Sequence, residues 1–143
     1  MQNSNKSEEQ IFNLINKNQN QFEGTFSASV DGEEFMFADK HVLFYRAEKD
    51  YFIVGSDNED ENYVTFCVQQ HLVKEGPHQV KKYEGGLVWS VKIKDRFHVV
   101  QQGQATVTFL QRGEYRYGAF GDIDFVLPDG RKITGEFDIK RRE

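Results

Sequence analysis

From Phe22 to Ile139 apolar and polar residues alternate in short runs, separated by turns that carry Gly and Asp. Successive side chains of a strand point to opposite faces, so a period of two marks strands with one buried face. In the run from Phe22 to Val30, Phe22, Phe26, Ala28 and Val30 face one way, and Glu23, Thr25, Ser27 and Ser29 face the other. Asp31-Gly32 follows, a strong signal for a two-residue hairpin. Pairing across it sets Ala28 opposite Phe35 and Phe26 opposite Phe37, so apolar meets apolar.

The same pairing test applies to the later turns. Across Leu127 to Arg131, a two-residue loop opposes Phe125 with Thr134 and Ile123 with Glu136. A three-residue loop opposes Phe125 with Ile133 and Ile123 with Gly135, which keeps the faces matched. That loop also places Pro128 at the second position of a type I turn and Gly130 where φ is positive. At Gln111-Arg112-Gly113 the test predicts Phe109 opposite Tyr115, Val107 opposite Tyr117 and Ala105 opposite Ala119. At Lys94-Asp95-Arg96 it predicts Ile93 opposite Phe97 and Val91 opposite Val99, in a turn without Gly.

These matches predict a continuous meander of strands over 87–93, 97–109, 115–127 and 131–139. Earlier strands are expected at 33–38, 41–47, 51–56 and 62–70, and a loop over 71–79. Two of the later runs exceed the usual strand length, so bends or bulges are expected at Gly103, Gly118 or Gly121. The fold class is therefore all-β, an antiparallel meander of about eight strands with two ways to close. A β-sandwich is favoured because the inward positions are large: Phe26, Phe35, Phe37, Trp89, Phe109, Phe125 and Phe137. An up-and-down β-barrel is the alternative.

Ahead of the strands, residues 1–6 read as disordered. Ser7 and Gln10 form a capping box that starts a short helix. Ile11, Leu14 and Ile15 share one helical face with Phe12 beside it, and the helix fades through 16–21. This divides the chain into an N-terminal arm over 1–20 and a single β domain over 21–143. The helix is expected to cover an open end or edge of the sheet, with a partner-binding arm as the alternative.

The phrase Gly24-x-Phe26-x-Ala28-x-Val30-Asp31-Gly32-x-x-Phe35 resembles the opening of several uncharacterised bacterial β-rich domains, many of them lipoproteins. Gly135-Glu136-Phe137-Asp138-Ile139 is similar to the way they close. The resemblance implies a β-sandwich and no assigned catalytic residue. The lipidated cysteine of those lipoproteins has no counterpart here.

A net charge of −5 argues against a general nucleic-acid binder, which needs clustered Lys and Arg. The basic cluster Lys140-Arg141-Arg142 reads as a solvated tail. Cys67 is the single cysteine, so no internal disulfide can form. No stretch reaches the ~20 apolar residues of a membrane-spanning helix. The first ten residues lack the apolar core of a secretory signal. The expectation is a cytoplasmic protein if the chain is complete, and an exported one if a signal peptide has been removed.

Candidate chemistry is sparse. Asp57, Glu59 and Glu61 place carboxylates at alternate positions, a weak cation candidate within the run Asp57-Asn58-Glu59-Asp60-Glu61. An EF-hand loop needs Gly sixth and Glu twelfth, where this chain has Asn62 and Val68, so a solvated acidic loop is the default. Asp122, Asp124, Glu136 and Asp138 are expected on the outer face of the last hairpin, with Lys132 and Thr134 among them. His41, His71, His78 and His98 match no ligand spacing. Cys67 reads as a small packing residue. Tyr45, Phe52, Tyr63, Tyr83 and Phe120 fall on the polar phase of their strands. They form an exposed aromatic platform for a sugar or a partner side chain, or else both faces of those strands are buried. The function expected is a non-enzymatic binding module for a macromolecular partner of basic character, without a cofactor, that uses a sheet face or the loops 55–62 and 71–86. A barrel carrying a small apolar ligand is the alternative, and an enzyme whose site is assembled from distant residues is the second. A homo-oligomer stays open.

Overall fold

The structure is a computed structural model describing residues 2–57, 59 and 61–142, with side chains described from residue 8 onward. Asn58, Asp60 and the side chain of Ser7, all named in the sequence expectations, lie outside that description.

Helix α1 spans Gln2–Lys17. It begins well before the expected cap at Ser7, because no Pro or Gly interrupts the chain there. The strands are β1 (Phe22–Val30), β2 (Glu33–Ala38), β3 (His41–Arg46), β4 (Asp50–Ser56), β5 (Tyr63–Gln69), β6 (His78–Lys81), β7 (Ser90–Ile93), β8 (Arg96–Val99), β9 (Gln102–Arg112), β10 (Tyr115–Val126) and β11 (Lys132–Arg141). They form two antiparallel sheets. One has the order β2-β1-β11-β10-β9-β6 and the other β3-β4-β5-β7-β8. The sheets are not closed into a barrel, and the all-β sandwich is the architecture. The simple meander is not: β1 lies beside β11, and β6 beside β9.

The space between the sheets is filled by aromatic rings. Phe66 of β5 touches Phe26, Trp89, Phe125 and Phe137, with centroids 5.3–6.5 Å apart. Edge-on and tilted pairs of this kind add to the burial of their area. At the end of the sandwich Arg116 lays its guanidinium 3.9 Å from the Phe109 ring centre. It donates to the carbonyls of Gln70 (3.3 Å), Leu72 and Lys74 (3.2 Å), which pins the loop after β5. Nothing in the local pattern marks Arg116 for that role.

The hairpin over 127–131 has the expected three-residue loop, with Phe125 paired to Ile133 and Ile123 to Gly135. Three other pairings differ from expectation. A bulge between Ala28 and Ser29 pairs Ala28 with Met36 and Phe26 with Ala38. Met36 and Ala38 turn inward, and Phe37 is left 52% exposed. Across Gly113-Glu114, Phe109 pairs with Ala119, Val107 with Gly121 and Ala105 with Ile123. That is a shift of four residues from the expected register, and an even shift keeps every side chain on its face, so alternation is blind to it. At Lys94-Asp95 both residues have positive φ, 49° and 68°, so the turn has two residues and pairs Ile93 with Arg96 and Val91 with His98. Asn62 and Glu61 hold it by accepting the Lys94 and Asp95 amides at 2.8 and 2.9 Å.

The expected strand 97–109 is two strands in different sheets. Val100 donates its amide to Trp89, and Gln101 donates its own to Val126. The chain therefore changes sheets between two consecutive residues. The stretch expected as a loop contains the start of β6.

Every residue of β4 and all but the last of β5 are buried, so both faces of these two strands of the five-stranded sheet are covered. One face meets the six-stranded sheet. Helix α1 covers part of the other and lies on a face, not on an edge. Ile11 and Ile15 are buried, and Phe12 meets the Tyr63 ring edge-on at 6.1 Å. Lys92 of β7 bonds Glu8 of the helix at 2.8 Å and Asp95 at 3.0 Å. Its ammonium also lies 5.3 Å from the Phe12 ring centre and 5.8 Å from that of Tyr63.

Gly55 faces the inner layer, where an added Cβ would lie 2.6 Å from Phe26 Cβ. We expect Gly55→Ala to cost about 1–3 kcal/mol through overpacking. Urea denaturation with an unchanged slope would show it. A neutral result would mean that the two sheets can separate locally.

Candidate functional site

The remaining outer face of β4 and β5 is covered by the strap between β6 and β7. Strand alternation puts Asp50, Phe52, Thr65 and Cys67 on that face. Three of them hold the strap in sequence. Asp50 Oδ2 accepts the Gly86 amide at 2.8 Å. The Cys67 thiol donates to the Leu87 carbonyl at 3.3 Å. The Thr65 hydroxyl donates to the Val88 carbonyl at 2.9 Å. The backbone lies so close that only glycine fits twice. A Cβ on Gly85 would lie 2.5 Å from Cys67 Sγ, and one on Gly86 2.9 Å from Phe52 Cζ. Gln10 of α1 donates to the outer side of the strap at the Gly86 carbonyl, at 3.1 Å.

Beside the strap lies an open cleft of about 670 Å³, a volume in the range of small-molecule and side-chain sites. Asp50, Phe52 and Tyr83 form its inner part, and Glu48, Lys49 and Glu84 lie at its exposed margin. Asp50 is only 7% exposed. Tyr83 donates its hydroxyl to Asp50 Oδ1 at 2.6 Å. Burial and that bond to the carboxylate push the Tyr83 hydroxyl pKa well up, so Tyr83 remains the donor. Among the described residues no cationic side chain forms an ion pair with Asp50.

Of the aromatic residues singled out from sequence, the cleft gathers Phe52 and Tyr83. Tyr45 is half-buried, with its ring centre 6.1 Å from that of Phe52. Tyr63 lies fully buried beneath α1, and its hydroxyl has no hydrogen-bond partner among the described residues. Phe120 is on the outer face of the other sheet and 41% exposed. The five do not form one platform. Asp50, the centre of the cleft, begins a strand and carries no motif, and only the fold reveals it.

The other candidates fall elsewhere. Asp57 uses both carboxylate oxygens within its own loop, accepting the Glu61 amide at 3.0 Å and the Asn62 side chain at 2.7 Å. Glu59 and Glu61 are exposed. Among the described residues no group of His, Cys, Asp or Glu is arranged to hold a metal ion. Asp122, Asp124, Glu136 and Asp138 stand exposed on the six-stranded sheet, with Asp122 directly opposite Glu136. His71 borders the cleft, His78 meets the Lys74 carbonyl and His98 meets Arg131. Burial first, then the Arg131 charge, pushes the His98 pKa down. Cys67 is fully buried, and burial pushes its thiol pKa up, the opposite of what a nucleophile needs.

No helix among the described residues is long and apolar enough to cross a membrane. No protein-family model, curated protein or solved structure matches the chain.

Tyr83→Phe should lower stability by about 1.5–3 kcal/mol, the range for a hydrogen bond to a charged group. Chemical denaturation measures it, and an unchanged midpoint would mean that water replaces the hydroxyl. The Cys67 thiol should resist a thiol reagent at neutral pH until the protein is unfolded by denaturant. Rapid labelling of the folded protein would show that the strap opens.

Proposed function

We propose that this chain is a non-enzymatic binding module that engages a macromolecular partner through the acidic cleft beside the strap. The observation that carries this reading is the cleft itself. It is of ligand size and open, with Asp50 at its inner end and Glu48 and Glu84 at its margin. Acidic groups of this kind favour a basic partner and speed its encounter. The cleft draws His71 and residues 83–86 from one of the two loop regions that the sequence suggested for contact, and the rest of its lining from β4, the turn before it and the end of β5.

The non-enzymatic part is supported by the state of the reactive groups. The cysteine is a buried thiol bonded to a carbonyl, and the four histidines lie apart on different elements. The carboxylate pair Asp122 and Glu136 stands on an open sheet face instead of in a cleft. Glycosidic acid–base work needs two carboxylates flanking a bond in an enclosed site. Carriage of a small apolar ligand is not favoured, because rings occupy the space between the sheets.

The test compares two charge-reversal variants of tagged protein in extracts of the cells that make it. Glu48→Lys with Glu84→Lys alters the cleft margin, and Asp122→Lys with Glu136→Lys alters the opposite sheet. A partner held by the wild type should be lost with the first pair, kept with the second, and released as salt rises. A partner unaffected by the first pair, or lost only with the second, would sink the cleft reading.

A further inference from the structure

We infer that the cleft is a socket for an alkylammonium group, supplied by a lysine side chain of the partner; this deepens the binding reading above and rests on it. The starting point is a mismatch between two buried charges. Lys92 is buried and meets two carboxylates, Glu8 and Asp95. Asp50 is equally buried, yet among the described residues its carboxylate meets neutral donors, the Tyr83 hydroxyl and the Gly86 amide. A buried carboxylate without a counter-charge is expensive to keep, and proteins normally pair it.

A carboxylate offers about four acceptor positions. Tyr83 and Gly86 occupy one on each oxygen, so the remainder are free for further donors. An ammonium brings three donors and a guanidinium five. The smaller demand fits an inner end whose open acceptors belong to one carboxylate. The stem of a lysine also needs apolar company, which Ala47 and the rings of Phe52 and Tyr83 provide along the cleft. Those rings lower the local dielectric beside Asp50, which strengthens its attraction for the ammonium. The other charged or titratable groups on the cleft are Glu48 and Glu84, which add to the attraction, Lys49, which opposes it, and His71. Gly85 and Gly86 keep the inner end accessible to the backbone amide, since a side chain at either would meet Phe52, Cys67 or Asp50.

The probe is a short Gly-Ser-Lys-Ser-Gly peptide titrated into the full chain, followed by amide NMR shifts. The same peptide with norleucine or arginine in place of lysine, and free spermidine, serve as comparisons. The lysine peptide should move the Gly85 and Gly86 amides, and the norleucine peptide should not. Asp50→Asn should weaken lysine binding roughly tenfold or more, by loss of a charge-assisted bond. Its melting temperature should fall modestly, since the amide has one acceptor oxygen for the two donors that the carboxylate holds, the Tyr83 hydroxyl and the Gly86 amide. Glu84→Gln, an exposed change that the fold tolerates, should weaken binding by a smaller factor and keeps the test valid if Asp50→Asn misfolds. Equal binding of the norleucine or arginine peptide, spermidine binding without lysine-peptide binding, or shifts centred on Asp122 and Glu136 would each overturn the assignment. If no lysine probe binds while capture still depends on Glu48 and Glu84, the ammonium inference fails and the binding reading survives. If capture ignores those residues, the binding reading itself fails.

Discussion

The structure depends on burying both faces of β4 and β5. A strand pair with almost no exposed residue needs two covers, and this chain supplies them from different parts of its length. The six-stranded sheet covers the inner face with aromatic rings. The outer face is shared between helix α1 and the strap 82–89. Without either cover, Phe52, Val54, Tyr63 and Cys67 would meet water on one side of the central strands. The hydrophobic content of β4 and β5 therefore dictates that the N-terminal segment docks and that the strap lies flat.

The two outer covers differ in chemistry. Helix α1 docks through Ile11 and Ile15, with an ion pair at Lys92 to set its position. The strap buries Leu87 and Trp89 and is fixed in addition by backbone hydrogen bonds to Thr65, Cys67 and Asp50. A backbone segment laid across a sheet face brings its own amides and carbonyls, and these must find partners once buried. Asp50 and Cys67 answer that need at fixed positions. The cleft arises where the strap stops covering the sheet, so a structural carboxylate also becomes the inner end of an open site. Gln10 ties the helix to the same glycine that donates to Asp50, which joins the two covers mechanically.

Much of the secondary structure was legible because alternation reports which face a residue takes. The 127–131 hairpin was read to the residue, since Pro128 and Gly130 leave one turn geometry and the alternative mismatched the faces. The candidate site was legible only in part. Phe52 and Tyr83 stood out as aromatics on a polar phase, but Tyr63 and Phe120 shared that signal and serve other places. Asp50 gave no signal at all, because a lone acid at a strand start resembles any turn residue. Its burial comes from residues 83–86, more than thirty positions away in the chain.

The sequence by itself determined the fold class, the approximate position of most strands and the inward side of the long later strands, because these follow from local period and turn chemistry; at β2 it named the wrong side, since Met36 and Ala38 turn inward. Tertiary structure alone decided the register at three hairpins. A shift of four at Gly113-Glu114 keeps every side chain on its face, whereas the bulge in β1 and the two-residue turn at Lys94-Asp95 each move the pairing by one residue. It also decided that residues 97–109 divide between two sheets at Val100 and Gln101, since the donors change partners without any change in composition. And it decided that Asp50 is buried with no cationic partner among the described residues, because burial and charge pairing depend on groups that the chain brings together only when both sheets, the helix and the strap are in place.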